Sequence, residues 1–297
     1  MLGMVRLFLV TGGAGFIGSH LIEVLSQKYP HDKIVSLDNY FTGKKENHVK
    51  GKNIIYLTGN TMDIDRIWQE NKLPSPEIIY HLGEYSRIVQ SFEDIDKIWN
   101  FNFNGTMAVL KFAQKSGSKL IYAGSSSKFG HKGKDENLSP YAWIKSKNIE
   151  LIKNWKEWFG GPSYVITYFY NVYGPRHIRE GKYATVIGIF EKQYLDGQPL
   201  TVVSPGTQTR DFTHVSDIVE GIIICSENGN GDGYQLGNGR ELTILEVAKM
   251  FNRKIKFVPA RKGERKKGKA TSDKARKLGW QPKIKIEDYI SEFIKEN

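Results

Sequence analysis

The sequence predicts an α/β fold in which a doubly wound parallel sheet carries a smaller C-terminal lobe. Short apolar runs alternate with amphipathic helical stretches through the first 170 residues, which is typical of parallel sheets covered by helices on both faces. A glycine-rich turn at 11–18 joins the first apolar run to the first helix. Asp38, Gly83, Ser125 and Asn171 follow successive apolar runs, at the strand ends where such sheets bind ligands.

Hydrophobic spacing predicts the elements in order. We expect strands at 7–10, 33–37, 54–57, 77–82, 119–123 and 163–168. We expect helices from Phe16, over 63–71, over 86–115 and from Pro140, since proline is favoured in a first helical turn. Beyond Asn171 the pattern predicts helices at 185–195, 215–226, 242–251, 272–278 and 286–295, and a strand at 200–203. The chain then divides into a sheet domain, 1–170, and a lobe, 171–297, from which some segments return to the sheet.

Composition limits the cellular setting and the partners. The chain has 297 residues and one cysteine, Cys225, so no intrachain disulfide forms and we expect a reducing, cytoplasmic compartment. No signal peptide or membrane span is expected, because long apolar runs are absent from the sequence. The stretch 261–277 holds nine Lys and Arg against two acids, and so supplies +7 of the net +11. We interpret it as a solvated face with one or two phosphate-contacting arginines, and expect no nucleic acid because no binding motif is present.

The glycine turn indicates a dinucleotide site. Glycine lets the backbone turn tightly and lets a pyrophosphate approach, and the following helix offers free N–H groups and a positive dipole end. A second strand ends in Asp38, about 20 residues after the last glycine, where a carboxylate accepts hydrogen bonds from a ribose. The alternative is a plain tight turn, but strand, turn, helix, strand and acid fall in register. Residues 1–170 are therefore interpreted as a Rossmann domain.

A tyrosine and a lysine four residues apart indicate acid–base chemistry. Tyr141 and Lys145 lie on one face of the helix that Pro140 opens, and Ser125 lies on the preceding strand end. A free phenol is a poor base at neutral pH, and an adjacent ammonium favours the phenolate. We expect Tyr141 to act as a general base toward a substrate hydroxyl, with Ser125 bonding the same oxygen.

Eight stretches together carry a resemblance to a known family. They are TGGAGFIG (11–18), DNYFTGKKEN (38–47), HLG (81–83), SSSKFG (125–130), Tyr141 with Lys145, NVYGPR (171–176), TRDFTHV (209–215) and RKGE (261–264). On these stretches the chain resembles the extended short-chain dehydrogenase/reductase family, and within it the nucleotide-sugar epimerases and dehydratases. The resemblance covers nearly the whole chain. It implies an enzyme that holds NAD and no metal, and that acts on a nucleoside-diphosphate sugar, with a UDP-sugar favoured.

The resemblance also implies site residues by motif position. Ser125, Tyr141 and Lys145 match the catalytic residues of the family. Asp38 and Asn39 match the residues that contact the adenosine ribose, and the 60–61 pair matches those that hold adenine. The implied cofactor set is Gly12, Gly15, Phe16, Ile17, Asp38, Asn39, Thr42, Gly43, Asn60, Thr61, Leu82, Gly83, Tyr141 and Lys145. The implied substrate set is Glu84, Arg87, Ser125, Ser127, Asn171, Val203, Arg210 and Arg261. In this set Asn171 and the last two arginines hold the diphosphate, a role that the bidentate guanidinium suits.

The reaction implied by the resemblance is epimerisation. Family dehydratases carry an Asp-Glu pair directly after the strand-five serine or threonine, and this chain has Ser126 and Ser127 there. The implied enzyme resembles the 4-epimerases that interconvert UDP-glucose and UDP-galactose through a transient 4-keto sugar. Alternatives are a 4-keto-sugar reductase, an ADP-heptose-type 6-epimerase and a catalytically silent dinucleotide-binding protein.

Two further features bear on specificity and assembly. The family usually has Ala-Ala where this chain has Gly83-Glu84, and Arg87 stands where a small residue or His is common. We expect Glu84 and Arg87 either to pair with each other or to reach the sugar. The helical stretches 88–115 and 141–159 carry many large apolar residues, and family members pair these helices, so we expect a homodimer.

Overall fold

A computed structural model describes residues 5–259 and 267–297 of the chain. The strands are β1 (Leu7–Thr11), β2 (Lys33–Asp38), β3 (Ile54–Thr58), β4 (Ile78–His81), β5 (Lys119–Ser125), β6 (Tyr164–Phe169), β7 (Val172–Tyr173), β8 (Leu200–Val203), β9 (Thr209–Asp211), β10 (Thr213–His214), β11 (Gly231–Leu236), β12 (Glu241–Thr243) and β13 (Ile255–Val258). The α-helices are α1 (Phe16–Lys28), α2 (Ile64–Glu70), α3 (Ile95–Ile98), α4 (Gly105–Ser116), α5 (Pro140–Phe159), α6 (Val186–Leu195), α7 (Val215–Asn228), α8 (Ile244–Met250), α9 (Asp273–Arg276) and α10 (Ile286–Glu296).

The main sheet confirms the predicted doubly wound fold. Within the described ranges it has seven strands in the order β3-β2-β1-β4-β5-β6-β11, and every neighbouring pair is parallel. All five residues of β1 are buried, as expected for a central strand covered on both faces. Leu7 and Leu9 pack in the core that includes α2, α4 and α5, whereas Phe8 and Val10 pack against α1 and α7.

The order of the strands reverses between β1 and β4. The chain leaves β1 toward β2 on one side, and the strands that follow β4 extend the sheet on the other. Connections therefore diverge at the carboxyl ends of β1 and β4 and leave a crevice, which is where ligands bind in doubly wound sheets.

The C-terminal part supplies one sheet strand that the hydrophobic pattern did not predict. β11 has the sequence GDGYQL, in which two glycines interrupt the apolar run, and it adds to the edge of the sheet beside β6. A third core cluster lies among α6, β8, α8 and α10. β8 pairs with β13, which sequence analysis also missed. The division of the chain near residue 170 stays a prediction.

The helix predicted over 86–115 is interrupted in the structure. A 3₁₀ turn at Val89–Phe92 precedes α3, and a π-helical stretch, Trp99–Asn104, joins α3 to α4. Asn102, in the π stretch, is buried; its Nδ2 donates to the Tyr85 carbonyl (2.9 Å), and its Oδ1 accepts from the Tyr85 amide (2.7 Å). The wider turn therefore serves to anchor the loop after β4, which carries Glu84 and Arg87.

No α-helix in the described part of the chain is long and apolar enough to cross a membrane.

Candidate active site

One cavity of about 540 Å³ opens at the carboxyl ends of the sheet strands. It gathers residues that sequence analysis predicted from distant motifs. They are Gly12, Gly15, Phe16, Ile17, Asp38, Asn39, Thr42, Gly43, Thr61, Leu82, Gly83, Glu84, Arg87, Ser125, Tyr141, Lys145, Asn171, Val203 and Arg210.

Two predicted residues, Asn60 and Ser127, do not line the cavity. Asn60 is exposed, and its Oδ1 accepts from Asn39 Nδ2 (2.8 Å). Ser127 supports Ser125 from below the cavity surface. Arg261 lies outside the described residues.

The glycine turn forms the floor of the cavity. Gly12 has φ of +71°, and a Cβ added there would lie 2.8 Å from the Gly83 Cα, so both the turn and the approach to the loop after β4 require glycine. Gly15 is the N-cap of α1, and no side chain caps the helix. The N–H groups of the first turn of α1 are therefore available to a phosphate.

Asp38 ends β2 beside this turn. Its carboxylate accepts from the Ala14 amide (2.9 Å) and the Tyr40 amide (2.8 Å), and the residue is 6% exposed. Burial raises the pKa of Asp38, and the two N–H donors partly offset that effect. Each oxygen keeps a lone pair for a further donor, such as a ribose hydroxyl.

Helix α5 presents the tyrosine and the lysine to the cavity. Ser139 caps the helix by accepting from the Ala142 amide (3.1 Å), and Pro140 occupies the first turn. Tyr141 and Lys145 follow one turn apart on the buried face. The Tyr141 hydroxyl forms no hydrogen bond with the residues described, which leaves it available to a substrate.

Ser127 orients the hydroxyl group of Ser125, which lies two positions earlier. Ser127 donates to the Ser125 Oγ from its own Oγ (2.8 Å) and its amide (3.3 Å). Because Ser125 accepts both bonds, its own proton is free to point toward an oxygen in the cavity.

Lys145 is paired with Glu84, which resolves one alternative left by the sequence. The ammonium contacts the Glu84 carboxylate and donates to the Ala123 carbonyl (2.5 Å). The side chains of Glu84 and Lys145 are 2% and 5% exposed. A pairing of Glu84 with Arg87 is not formed. The ammonium has three N–H donors, so one remains after these two contacts.

Glu84 accepts three further hydrogen bonds that sequence analysis missed. Its Oε1 accepts from Thr106 Oγ1 (3.0 Å), Tyr122 Oη (3.1 Å) and Asn148 Nδ2 (2.9 Å). Asn148 gave one usable signal, since it is a polar residue three positions after Lys145 on a buried helix face. Tyr122 in β5 and Thr106 in α4 gave no signal in the sequence that they contact Glu84.

Arg87 has only neutral partners. Its Nε donates to the Tyr183 carbonyl (2.6 Å), and its Nη1 donates to the Ser86 carbonyl (3.0 Å) and Oγ (3.1 Å). Burial lowers the pKa of Arg87. Among the described residues it forms no ion pair, although it lines the same cavity as Tyr141.

Two of the predicted diphosphate residues, Asn171 and Arg210, form part of the cavity wall. Asn171 has φ of +31° and donates to the Asp211 carbonyl (2.9 Å), while Arg210 Nη1 donates to the Thr209 carbonyl (2.8 Å). Asp211 accepts from three backbone amides, including that of Ala270 (3.0 Å), and so fixes this wall. The segment 178–190, whose lining residues sequence analysis did not identify, completes the wall.

Comparison with known proteins decides the family. The profile of the NAD dependent epimerase/dehydratase family matches residues 8–237. The chain belongs to this family. The cofactor is therefore NAD, and the free N terminus of α1, the glycine approach and Asp38 fit it. The contacts of individual residues with NAD stay predictions. Within the described ranges no group of three or more His, Cys, Asp or Glu side chains is placed to hold a metal.

The relatives are enzymes of nucleotide sugars with different reactions. UDP-glucuronic acid decarboxylase 4 of Arabidopsis thaliana is 31% identical over 312 residues, covering 97% of this chain and 67% of that protein. A UDP-N-acetyl-alpha-D-glucosaminuronate decarboxylase of Bacillus cytotoxicus is 34% identical over 260 residues, covering 81% of this chain and 77% of that protein. UDP-glucose 4-epimerase of Thermotoga maritima, solved with UDP-glucose, has a TM-score of 0.88 at 26% identity and 98% coverage of both chains. This chain is accordingly an NAD-dependent enzyme of nucleotide sugars.

Proposed function

We propose that the chain is a nucleotide-sugar 4-epimerase that works through a transient 4-keto sugar. The observation that carries the proposal is the end of β5, where Ser125 lines one cavity together with Tyr141 and Lys145 and is followed by Ser126 and Ser127. No carboxyl group stands at these two positions to drive the loss of water from C5–C6.

The roles of the residues follow from their hydrogen-bonding capacity. Tyr141 takes the proton of the sugar 4-hydroxyl, and Ser125 donates to the same oxygen because Ser127 occupies its lone pairs. Lys145, which keeps one N–H donor, bonds a cofactor ribose hydroxyl. When bound, NAD would supply the acceptor for the C4 hydride and the donor for its return. Asn171 and Arg210 hold the diphosphate, so the sugar can turn over while the nucleotide stays bound.

A second candidate is the decarboxylation of a sugar acid. Two of the relatives carry this activity in their names, and Arg87 offers a guanidinium without an acid partner in the described structure. Oxidation at C4 would make a β-keto acid. The C5–C6 bond would then break with loss of CO₂, its electron pair would enter the C4 carbonyl, and a proton would add at C5. Return of the hydride to C4 and of a proton to its oxygen would give the UDP-pentose and leave the cofactor oxidised as before.

The test is product analysis by proton NMR after incubation with UDP-glucose and with UDP-glucuronic acid. Epimerisation inverts C4 and keeps all carbons, whereas decarboxylation gives a UDP-pentose and CO₂. Unchanged sugars in both incubations would refute the proposal.

A matched pair of variants tests the chemistry. Tyr141→Phe should lower kcat by about 10²–10⁴-fold while fold and NAD content remain, because only the proton carrier is lost. Tyr164→Phe is the control, since Tyr164 begins β6 at the opposite end of the sheet. Near-normal turnover of Tyr141→Phe would remove Tyr141 from the mechanism.

A further inference from the structure

Arg87 lies on the loop after β4 and lines the cavity that Tyr141 also lines. Its guanidinium donates to the Tyr183 carbonyl, and Tyr183 packs in the same apolar cluster as Tyr141 and Tyr85. Arg87 and Tyr141 line the same cavity, so a group bound by Arg87 shares that cavity with the oxygen that Tyr141 is proposed to deprotonate.

The acids around Arg87 are already occupied. Glu84 pairs with Lys145 and accepts three more hydrogen bonds. Asp94 pairs with Lys97 (2.9 Å) and Lys182 (3.1 Å) and accepts from two tyrosine hydroxyls. Neither carboxylate is available as a counter-ion.

The guanidinium is therefore partly buried and has no acid partner among the described residues. Its Nε–H donates to the Tyr183 carbonyl, and the N–H groups of Nη1 donate to the Ser86 carbonyl and hydroxyl, so at most three of its five N–H groups are used, all on neutral oxygens. No bond from Nη2 to a described residue is formed. A partly buried charge without an acid partner is unfavourable, and an anion that enters the cavity would supply the missing partner.

The position selects among the anions of a nucleotide sugar. Arg210 and Asn171 line the same cavity and already have the predicted diphosphate role. The C6 group, by contrast, is attached to C5, which is the carbon next to C4. A carboxylate at C6 therefore lies within a few ångströms of the 4-oxygen. Arg is suited to carboxylate through its planar fork.

We infer that Arg87 binds a carboxylate on the substrate's sugar, so that the substrate is a nucleoside-diphosphate hexuronic acid rather than a neutral hexose. The inference rests on the proposed function, because it uses Tyr141 to locate C4. It applies equally to a 4-epimerase and to a decarboxylase, since both hold the carboxylate while C4 is oxidised.

The experiment measures binding and needs no turnover. NAD-loaded full-length protein is titrated calorimetrically with UDP-glucuronic acid and with UDP-glucose, and the ratio of the two dissociation constants is the readout. Wild type should favour the acid by about tenfold or more, as a charge-assisted bond predicts. Arg87→Gln should lose this preference while its affinity for UDP-glucose changes less than about twofold. Arg87→Lys keeps the charge but loses the planar, two-pronged geometry of the guanidinium. Its preference for the acid should therefore lie between those of wild type and Arg87→Gln.

Lys147→Gln is the control for charge, since Lys147 is exposed and paired with Glu150 on the outer face of α5. It should bind as wild type does. The inference is overturned if wild type binds both sugars equally, or if Arg87→Gln weakens both to the same extent, which would make Arg87 a diphosphate contact or a structural residue. Should Arg87→Gln not fold, wild type and Arg87→Lys decide the result. Acid preference without epimerisation would refute only the proposed function.

Discussion

Removing the Glu84 carboxylate should destabilise the protein more than removing any exposed acid. In Glu84→Ala the Lys145 ammonium stays buried, at 5% exposure of its side chain, without a counter-ion. Thr106, Tyr122 and Asn148 lose an acceptor at the same time. The change therefore leaves one buried charge without a counter-ion and removes the acceptor of the Thr106 and Tyr122 hydroxyls, whereas Asn148 keeps the Asn102 carbonyl as an acceptor.

The expected size follows from that inventory. Breaking a buried ion pair by removing one partner costs about 3–5 kcal/mol. In a chain of this size each kcal/mol lowers Tm by roughly 2–4 °C, so Glu84→Ala should melt roughly 6–20 °C below wild type. Glu84→Gln keeps the shape and an acceptor oxygen but not the charge, so its Tm should lie between those of Glu84→Ala and wild type.

Differential scanning calorimetry of the NAD-free protein measures the effect without a contribution from cofactor binding. Glu150→Ala is the control on the same helix; its partner Lys147 is 2.9 Å away, both side chains are exposed, and the cost should stay below about 1 kcal/mol. In Glu84→Ala/Lys145→Met the orphaned charge is gone, so the double variant should melt above Glu84→Ala. The reasoning fails if Glu84→Ala melts within a degree of Glu150→Ala, or if the two changes lower Tm additively.

Three further predictions concern the cofactor, pH and assembly. Asp38→Ser should narrow the preference for NAD over NADP, because the 2′-phosphate of NADP would meet the like charge of the Asp38 carboxylate. Titration of the apoprotein with both cofactors measures the two affinities, and equal affinities in wild type would refute the prediction. Burial lowers the pKa of His81 to about 4 from an unfolded value near 6.5, so the unfolded state takes up its proton first and stability is lost as pH falls from about 6.5 to 4. Acidification from pH 7 to 5 should cost wild type about 2 kcal/mol more than His81→Gln in denaturant unfolding, and equal losses would contradict the argument. Trp143 and Trp158 are 39% and 62% exposed on α5, and light scattering at micromolar concentration should give a dimer mass that Trp143→Glu reduces to a monomer; a monomeric wild type would end the idea.

Local patterns predicted the parts of the site that depend on neighbours along the chain. The glycine turn, the i,i+4 pair Tyr141 and Lys145 and the strand-end position of Ser125 were predicted because strand and helix periods place these residues without long-range information. β11 was missed because its glycines break the apolar pattern, and it forms by pairing with β6 at the sheet edge. The break in the helix over 86–115 was missed because it depends on Asn102 bonding to Tyr85, 17 positions earlier.

The sequence by itself determined the α/β class, the family and many of the residues that line the cavity, since these follow from spacing and motif. Only the tertiary structure decided how the charges are matched. Glu84 pairs with Lys145, which lies 61 positions away, because β4, β5 and α5 pack side by side; its nearer candidate, Arg87, points to other partners. That choice leaves the Arg87 guanidinium without an acid. A side chain's counter-ion is set by which packed layers bring it into contact, and no local period encodes this.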